Sequence, residues 1–324
     1  MRKIQRKYQR GVVLIVVLFA MAVISTLAIN ASEKSRFNTA RVTNHSAYQQ
    51  AYWYALGGEH YAKQLLKRDL DQHTTHLEQA WAIGETTYEI VGGEIGLKIV
   101  DLNSCFNINS LVQGGGIPLG THHQVFVRFL SGLQFPTETI EVLRERVQDW
   151  IDPDSLATGV NGMEYGYQTD SGVMYGLPNS YMHDISEVSF LLDISPDLMR
   201  KLQTHLCSLP SEYRLLLNIN TLREDDALLL ASVFRGELSQ QEAYNVIISR
   251  PKAGYSDIAD VWKLPELLDK ELDEVDKASL DLKSTYFRAD IEVRYEDVVR
   301  SYHAWFKAEN GNIRTIARQY GERF

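Results

Sequence analysis

Five acidic side chains crowd one stretch of this 324-residue chain: Asp149, Asp152, Asp154, Glu164 and Asp170, in a segment that also holds Gly159, Gly162 and Gly166. Carboxylates spaced by glycines and side-chain amides are hard oxygen donors, suited to Ca2+ with its roughly six to eight oxygen ligands. The spacing is not that of an EF-hand, and a solvated acidic loop that caps helices would have the same composition. His73 with His76, and His122 with His123, could also ligate a metal, but both pairs lie beside polar loops without clustered partners. No G-x-S-x-G, P-loop, dinucleotide fingerprint or H-E-x-x-H occurs. A glycosidase-like carboxylate pair stays open, because separations in space cannot be read from a sequence. Cys105 and Cys207 form no C-x-x-C, so redox catalysis is not expected.

The elements that must position these residues begin at an unusual N-terminus. Arg2, Lys3, Arg6, Lys7 and Arg10 put five cations and no acid in the first ten positions. From Val12 to Ile29 there are 18 residues without a charge, close to the ~20 that span a bilayer core. Lys and Arg resist translocation, so the N-terminus stays cytoplasmic and the rest of the chain lies outside. A secretory signal peptide shares this start, but Ile29-Asn30-Ala31 fits its cleavage pattern poorly. Nothing breaks the helix either: the first proline is Pro118, and no glycine falls between Gly11 and Gly57. Phe37, Ala40, Asn44, Tyr48, Ala51, Ala55, Ala62 and Leu65 recur at helical steps. The spacing therefore predicts one helix of ~90 Å at 1.5 Å per residue. The outward orientation places both cysteines in an oxidising compartment, where a disulfide persists; two buried thiols are the alternative. A bridge closing about 100 residues would add roughly 4–5 kcal/mol in the chain-entropy account.

Without its five leading cations the chain has 28 Lys and Arg against 42 Asp and Glu, a net charge of −14. Nucleic-acid binding rests on cationic contacts to phosphate, so that class is disfavoured. Further on, Tyr88–Val91 and Glu94–Val100 read as two strands about Gly92-Gly93. Alternation at Phe287, Ala289, Ile291, Val293 and Tyr295 predicts a strand; Val298–Phe306 and Ile313–Ile316 predict two more. The natural cover for this sheet is the polar-aromatic stripe of the long helix. Between the strands, helical spacing covers 124–133, 138–150, 183–192, 196–206, 223–234, 239–249, 256–261 and 266–275. The runs beginning at His183 and at Tyr255 look alike, each a polar cap before a hydrophobic turn. Trp150, Trp262 and Trp305 are the expected core anchors.

The string from Gln9 to Leu18 (QRGVVLIVVL) resembles the class III leader of type IV pilins and pseudopilins. That resemblance implies cleavage after Gly11 by prepilin peptidase and N-methylation of Val12. Most members carry a glutamate at the fifth mature position; Val16 stands there, a departure that marks the K-type minor pseudopilin (general secretion pathway protein K) of type II secretion. Asp101–Leu111, Asp149–Asp154 and Leu217–Thr221 are similar to further signatures of that subgroup, in order. The resemblance implies an α+β fold, a pilin-like long N-terminal helix on a small antiparallel sheet with a large all-α insertion of sterile-alpha-motif-like or helix-hairpin-helix units. It divides the chain into a leader (1–11), transmembrane helix (12–31), pilin helix and first strands (32–104), α-helical insertion (105–284) and C-terminal strands (285–324). It implies a Cys105–Cys207 bridge and calcium in the acidic segment, with Asp152, Asp154 and Glu164 as foremost ligands and Asp149 and Asp170 as further ones. The family usually has a second acid after the glutamate, where Tyr165 stands here. The expected role is a non-enzymatic component that, with I-type and J-type minor pseudopilins, caps and initiates the periplasmic pseudopilus. Its expected place is the Gram-negative inner membrane, with the body periplasmic. A membrane-tethered helix-hairpin-helix DNA binder and a signal-anchored hydrolase using the acidic loop are the competing readings.

Overall fold

The computed structural model describes residues 10–70, 73–114, 116–164, 167–168, 174–192, 195–210 and 212–321. The leader before Arg10 and the expected ligand Asp170 lie outside the described residues.

Helix α1 runs unbroken from Arg10 to Leu70, in keeping with the absence of proline from this stretch, and it continues through Gly57 and Gly58. Its residues 12–46 are all exposed, including the apolar stretch that matches a membrane anchor. From Ala47 onward one face is buried against a five-stranded antiparallel sheet. The strands are β1 (Thr86–Ile90), β2 (Gly93–Asp101), β3 (Tyr286–Tyr295), β4 (Val298–Glu309) and β5 (Asn312–Tyr320), hydrogen-bonded in that order. Phe287, Ala289, Ile291 and Val293 of β3 all point at α1, the alternation of a sheet covered on one face.

Of the expected stripe, Ala51, Ala55 and Ala62 cover the sheet, joined by Ala47, Gly58 and Leu66, while its aromatic members Phe37 and Tyr48 stay exposed. Small residues win because the helix lies close: a Cβ added at Gly58 would sit 3.1 Å from Ile291 Cγ2. The contact is locked by buried Glu59, which accepts two 2.9 Å bonds from Arg318 and others from Lys63, Thr315 and Tyr302. Burial pushes this carboxyl up, but its donors outweigh that and hold it at about 2.

Between β2 and β3 the chain leaves the sheet and builds two helical units that share one core. The first opens at Phe106–Asn107, which pairs in parallel with Leu206–Cys207; the second opens at Leu217–Asn218, which pairs in parallel with Leu280–Asp281. The first unit contains α2 (Gly120–Gly132), α3 (Thr137–Ile151), a 3₁₀ turn (Ile185–Phe190) and α4 (Pro196–His205). The second contains α5 (Ala227–Val233), α6 (Gln240–Ile248), α7 (Ile258–Val261), α8 (Pro265–Leu268) and α9 (Glu274–Ala278). Two expected helices differ in detail. The 183–192 segment is a 3₁₀ turn capped by Asp184, and 266–275 splits because Asp273 caps a new helix by accepting from Asp276 N at 2.8 Å.

The units repeat a device. Each begins Asn-Ile-Asn-(Ser/Thr), at Asn107–Ser110 and Asn218–Thr221. The first asparagine accepts from the backbone of the second in both cases. The second clamps a distant residue through N–H and C=O together: Asn109 with Met182, Asn220 with Tyr255. Buried amides satisfied on both sides fix where each chain segment returns. The Cys105–Cys207 disulfide, formed as expected, closes the first unit beside its parallel bridge.

Candidate cation site

Asp152, Asp154 and Glu164 each place a carboxylate oxygen within 4.8 Å of the others. The sequence does not draw them together directly; α3 does. Its C-terminal face presents Glu145, Gln148 and Asp149, and these hold the following loop by its backbone. Asp149 Oδ1 accepts from Thr158 N at 2.9 Å and Oδ2 from Met163 N at 2.7 Å. Glu145 Oε2 accepts from Asn161 N at 2.8 Å, and Gln148 Nε2 donates to Thr158 Oγ1 at 2.9 Å. The loop is thereby bent back until Glu164 meets the residues that leave the helix.

This geometry changes two readings. Asp149, fully buried with both oxygens occupied by backbone donors, scaffolds the loop and is not positioned as a free ligand. Gly159 and Gly162 serve the packing on α3, and Gly166 lies outside the described residues. Gly159 has φ +65° and a Cβ there would lie 2.3 Å from Glu145 Oε1; at Gly162 it would lie 2.5 Å from Asp149 Oδ2. Asn179, also left-handed at φ +46°, donates its amide to the Asp154 carbonyl and ties the returning chain to the same place.

The electrostatics are those of a cradle for a cation. Asp152 is 2% exposed, and its Oδ1 is buried without a hydrogen-bond partner, as is Glu164 Oε1. Burial, with Asp154, Asp149 and Glu164 nearby, pushes the Asp152 carboxyl up to about 6. Burial and the same neighbouring acids also raise Glu164. Orphaned buried carboxylate oxygens are costly unless a proton or a metal satisfies them. An all-oxygen donor set of this kind fits Ca2+.

The histidine pairs do not join it. His122 Nδ1 lies 2.7 Å from Ser110 O and His123 Nε2 3.0 Å from Leu111 O, so both satisfy carbonyls after the first asparagine turn. A second cluster, whose members the sequence names in separate runs but does not bring together, sits where sheet and helical units meet. Fully buried Asp101 accepts from Ser284 Oγ at 2.6 Å, from Thr221 Oγ1, and from Asn103 N at 2.8 Å. Burial pushes its carboxyl up to about 6. The signal available was the run Asp101-Leu-Asn103 repeated in kind by Asn218 and Asn220, polar residues at positions bordered by strands.

A long apolar-led helix on an antiparallel sheet, with a helical insertion that carries an acidic cradle, defines a pilin-like subunit with an insertion domain. A family profile described as "Type II secretion system (T2SS), protein K" matches residues 104–211, and a second of the same description matches 217–283. These bounds coincide with the two units closed by the parallel bridges. The type II secretion system protein K of Pectobacterium carotovorum is 32% identical over 323 residues, covering 98% of both chains. That of Klebsiella pneumoniae is 34% identical over 266 residues, covering 80% of each. Among solved structures, the GspK-GspI-GspJ complex of the enterotoxigenic Escherichia coli type 2 secretion system contains a chain that superposes with a TM-score of 0.77. That chain is 27% identical, covered in full, against 87% of this one. The chain belongs to the type II secretion system protein K family.

Proposed function

We propose that this chain is a non-enzymatic minor pseudopilin that sits at the tip of the periplasmic pseudopilus with I-type and J-type partners, and so helps to initiate and cap it. The observation that carries this reading is where the insertion sits. Thr75, just past the C-terminal end of α1, bonds to Leu282, Ser284 and Asn218, so the helical units emerge at the end of the body farthest from the apolar segment. In a fibre of parallel stacked helices, that bulk obstructs any subunit above. Val16 fits the same place: a buried glutamate needs a partner, and a subunit without one makes no such demand. The related chain solved with GspI and GspJ supports the choice of partners.

Anchorage in the inner membrane, with the body outside, follows from the basic leader and the exposed apolar stretch. The acidic cradle is assigned to Ca2+, held by Asp152, Asp154 and Glu164, as a structural ion that offsets most of the charge of three converging carboxylates. The DNA-binding alternative is disfavoured by the hairpin between α6 and α7. Asn220 occupies it from inside, bonding Tyr255 N at 2.7 Å, with Gly254 packed on its amide. The hydrolase alternative is disfavoured because, among the described residues, no serine or threonine hydroxyl beside the acids is hydrogen-bonded to a histidine base.

Processing tests the reading. Mass spectrometry of the chain from a host with prepilin peptidase should show a mature N-terminus at methylated Val12. A chain beginning at Ser32 or later would sink the pilin assignment.

A further inference from the structure

Apolar side chains stand around the mouth of the acidic cradle. The loop that leaves α3, from Pro153 to Met163, exposes Leu156 by 77% and Val160 by 96%, the highest value for a large apolar residue among the described ones. Beside it, a short hairpin pairs Val112–Gln113 with Ile117–Pro118 and exposes Ile117 by 60%. The hairpin meets the cradle at Gly116, where an added Cβ would lie 2.5 Å from Pro153 Cδ and 3.7 Å from Asp152 Cβ. Leu156 is tied to the cradle by its backbone, its N–H donating to Asp154 Oδ1 at 2.8 Å. Asp154 is itself exposed, so the three carboxylates open at the surface beside these aliphatic side chains.

Charge and shape choose the occupant. Each carboxylate has two oxygens, and one of those in the cradle is already taken by Leu156 N, whereas Ca2+ takes roughly six to eight. The bound ion therefore keeps coordination positions for oxygens from outside the chain. Neither the loop 153–163 nor the hairpin 112–118 contains a Lys or Arg, in a chain whose net charge is −9. An anionic partner is thus drawn to this surface through the ion. The apolar members are aliphatic points on two loops, with no Tyr, Trp or Arg among them, the residues that anchor protein interfaces. Projecting aliphatic side chains beside a cation suit the boundary between acyl chains and anionic headgroups, where no matching pocket is needed. Helix α1 rises about 60 Å from Ile29 to Leu70, and the helical units stand beyond it, clear of the bilayer that holds the apolar stretch.

We propose that Ile117, Leu156 and Val160, set around the mouth of the cradle, form a cation-dependent docking surface for an anionic phospholipid membrane, a second bilayer distinct from the one that holds α1. The ion bridges headgroup phosphate oxygens to Asp152, Asp154 and Glu164, while the three aliphatic side chains enter the acyl boundary. The inference rests on the cation reading of the cradle and adds to it an outward role for the ion and for the loops beside it.

Vesicle flotation decides it, using the full chain held by α1 in nanodiscs of phosphatidylcholine, with empty nanodiscs as the background. The acceptor vesicles are phosphatidylcholine with about one third phosphatidylglycerol. Replacing EDTA by Ca2+ is expected to raise the fraction of chain that floats with them about tenfold, and to change little with vesicles of phosphatidylcholine alone. The double variant Leu156→Ser, Val160→Ser should lose about tenfold of that binding, since each CH2 withdrawn from the acyl boundary is worth a severalfold change. Both side chains are exposed, so the variant should keep the rise in Tm that Ca2+ gives the parent. Equal flotation of variant and parent, or of the parent in Ca2+ and EDTA, would overturn the proposal. So would a parent that gains Tm with Ca2+ and yet does not float, an outcome that leaves the aliphatic ring to a protein partner. A Tm indifferent to Ca2+ would instead remove the cation reading itself, and the proposal with it.

Discussion

At the scale of single residues, the acidic cradle separates two roles that look alike in sequence. Asp149 and Asp152 are three positions apart, both buried and both acidic. Asp149 has its oxygens filled by Thr158 and Met163 amides, whereas Asp152 keeps one oxygen orphaned among other carboxylates. A cation bound at well above its Kd stabilises the fold by about 2.7 kcal/mol at a hundredfold excess. For a chain of 324 residues that corresponds to a rise of about 4 °C in Tm on replacing EDTA with Ca2+. Asp152→Asn should abolish the rise, yet in EDTA it should melt no lower than the parent, because the amide ends the mutual repulsion. Asp149→Asn should melt lower in both conditions, by about 1–3 kcal/mol, since it spoils a backbone clamp. Differential scanning calorimetry checks all three, and a Tm indifferent to EDTA would remove the ion from the account.

At the scale of elements, the informative place is the joint between sheet and helical units. Asp101 lies where β2 ends, bonded to Thr221 of the second unit and to Ser284 just before β3. Its folded pKa, about 6, stands above the ordinary 3.8 because burial disfavours the charge. The folded state therefore holds the proton more tightly than the unfolded one, and stability falls as pH rises towards and past 6. Between pH 5 and 7.5 the loss from this group is about 1–1.5 kcal/mol. Glu59, held at about 2, stays ionised in the folded state across that window and adds only a small rise near pH 5, of opposite sign. Urea unfolding at the two pH values should show the fall, and Asp101→Asn should remove that share of it; an unchanged slope in the variant would assign the dependence elsewhere. The runs that hold Asp101 and Thr221 stand out in the sequence, but nothing in it pairs them, because the members of the joint are separated by 120 and 183 positions. What was legible were periodic elements: α1, the β1–β2 hairpin and β3 to β5 follow from spacing alone. The cover of the sheet is legible in part: Ala51, Ala55 and Ala62 follow from spacing, whereas Gly58 carries little hydrophobic signal although close helix approach demands it. The split between α8 and α9 was missed because Asp273 reads equally as a helix residue and as a cap. The acids of the cradle were legible as types, while the division into ligand and scaffold needed α3 in place.

At the scale of the whole molecule, two cores divide the work. One lies between α1 and the sheet, the other within the helical units, and a small third cluster with Tyr286, Trp305 and Cys207 joins them at the distal end. A body with its own core can pack into a fibre by α1 while the insertion projects beyond it. The arrangement predicts one position for the chain, at the end of each pseudopilus, since a subunit stacked above would have to occupy the volume of the helical units. Val160 is 96% exposed on the loop of the cradle and touches neither core, so Val160→Cys gives a single labelling site on the projecting part. With the native cysteines bridged, a maleimide-gold label on sheared pseudopili should appear at one end of a fibre and not along its length. Label spaced regularly along the shaft would show that the insertion can be accommodated between layers, and the steric argument for the tip would then fail even with the family assignment intact. Label at the end also accounts for Val16 in physical terms: the position in the apolar helix that would need a partner above carries a side chain that needs none.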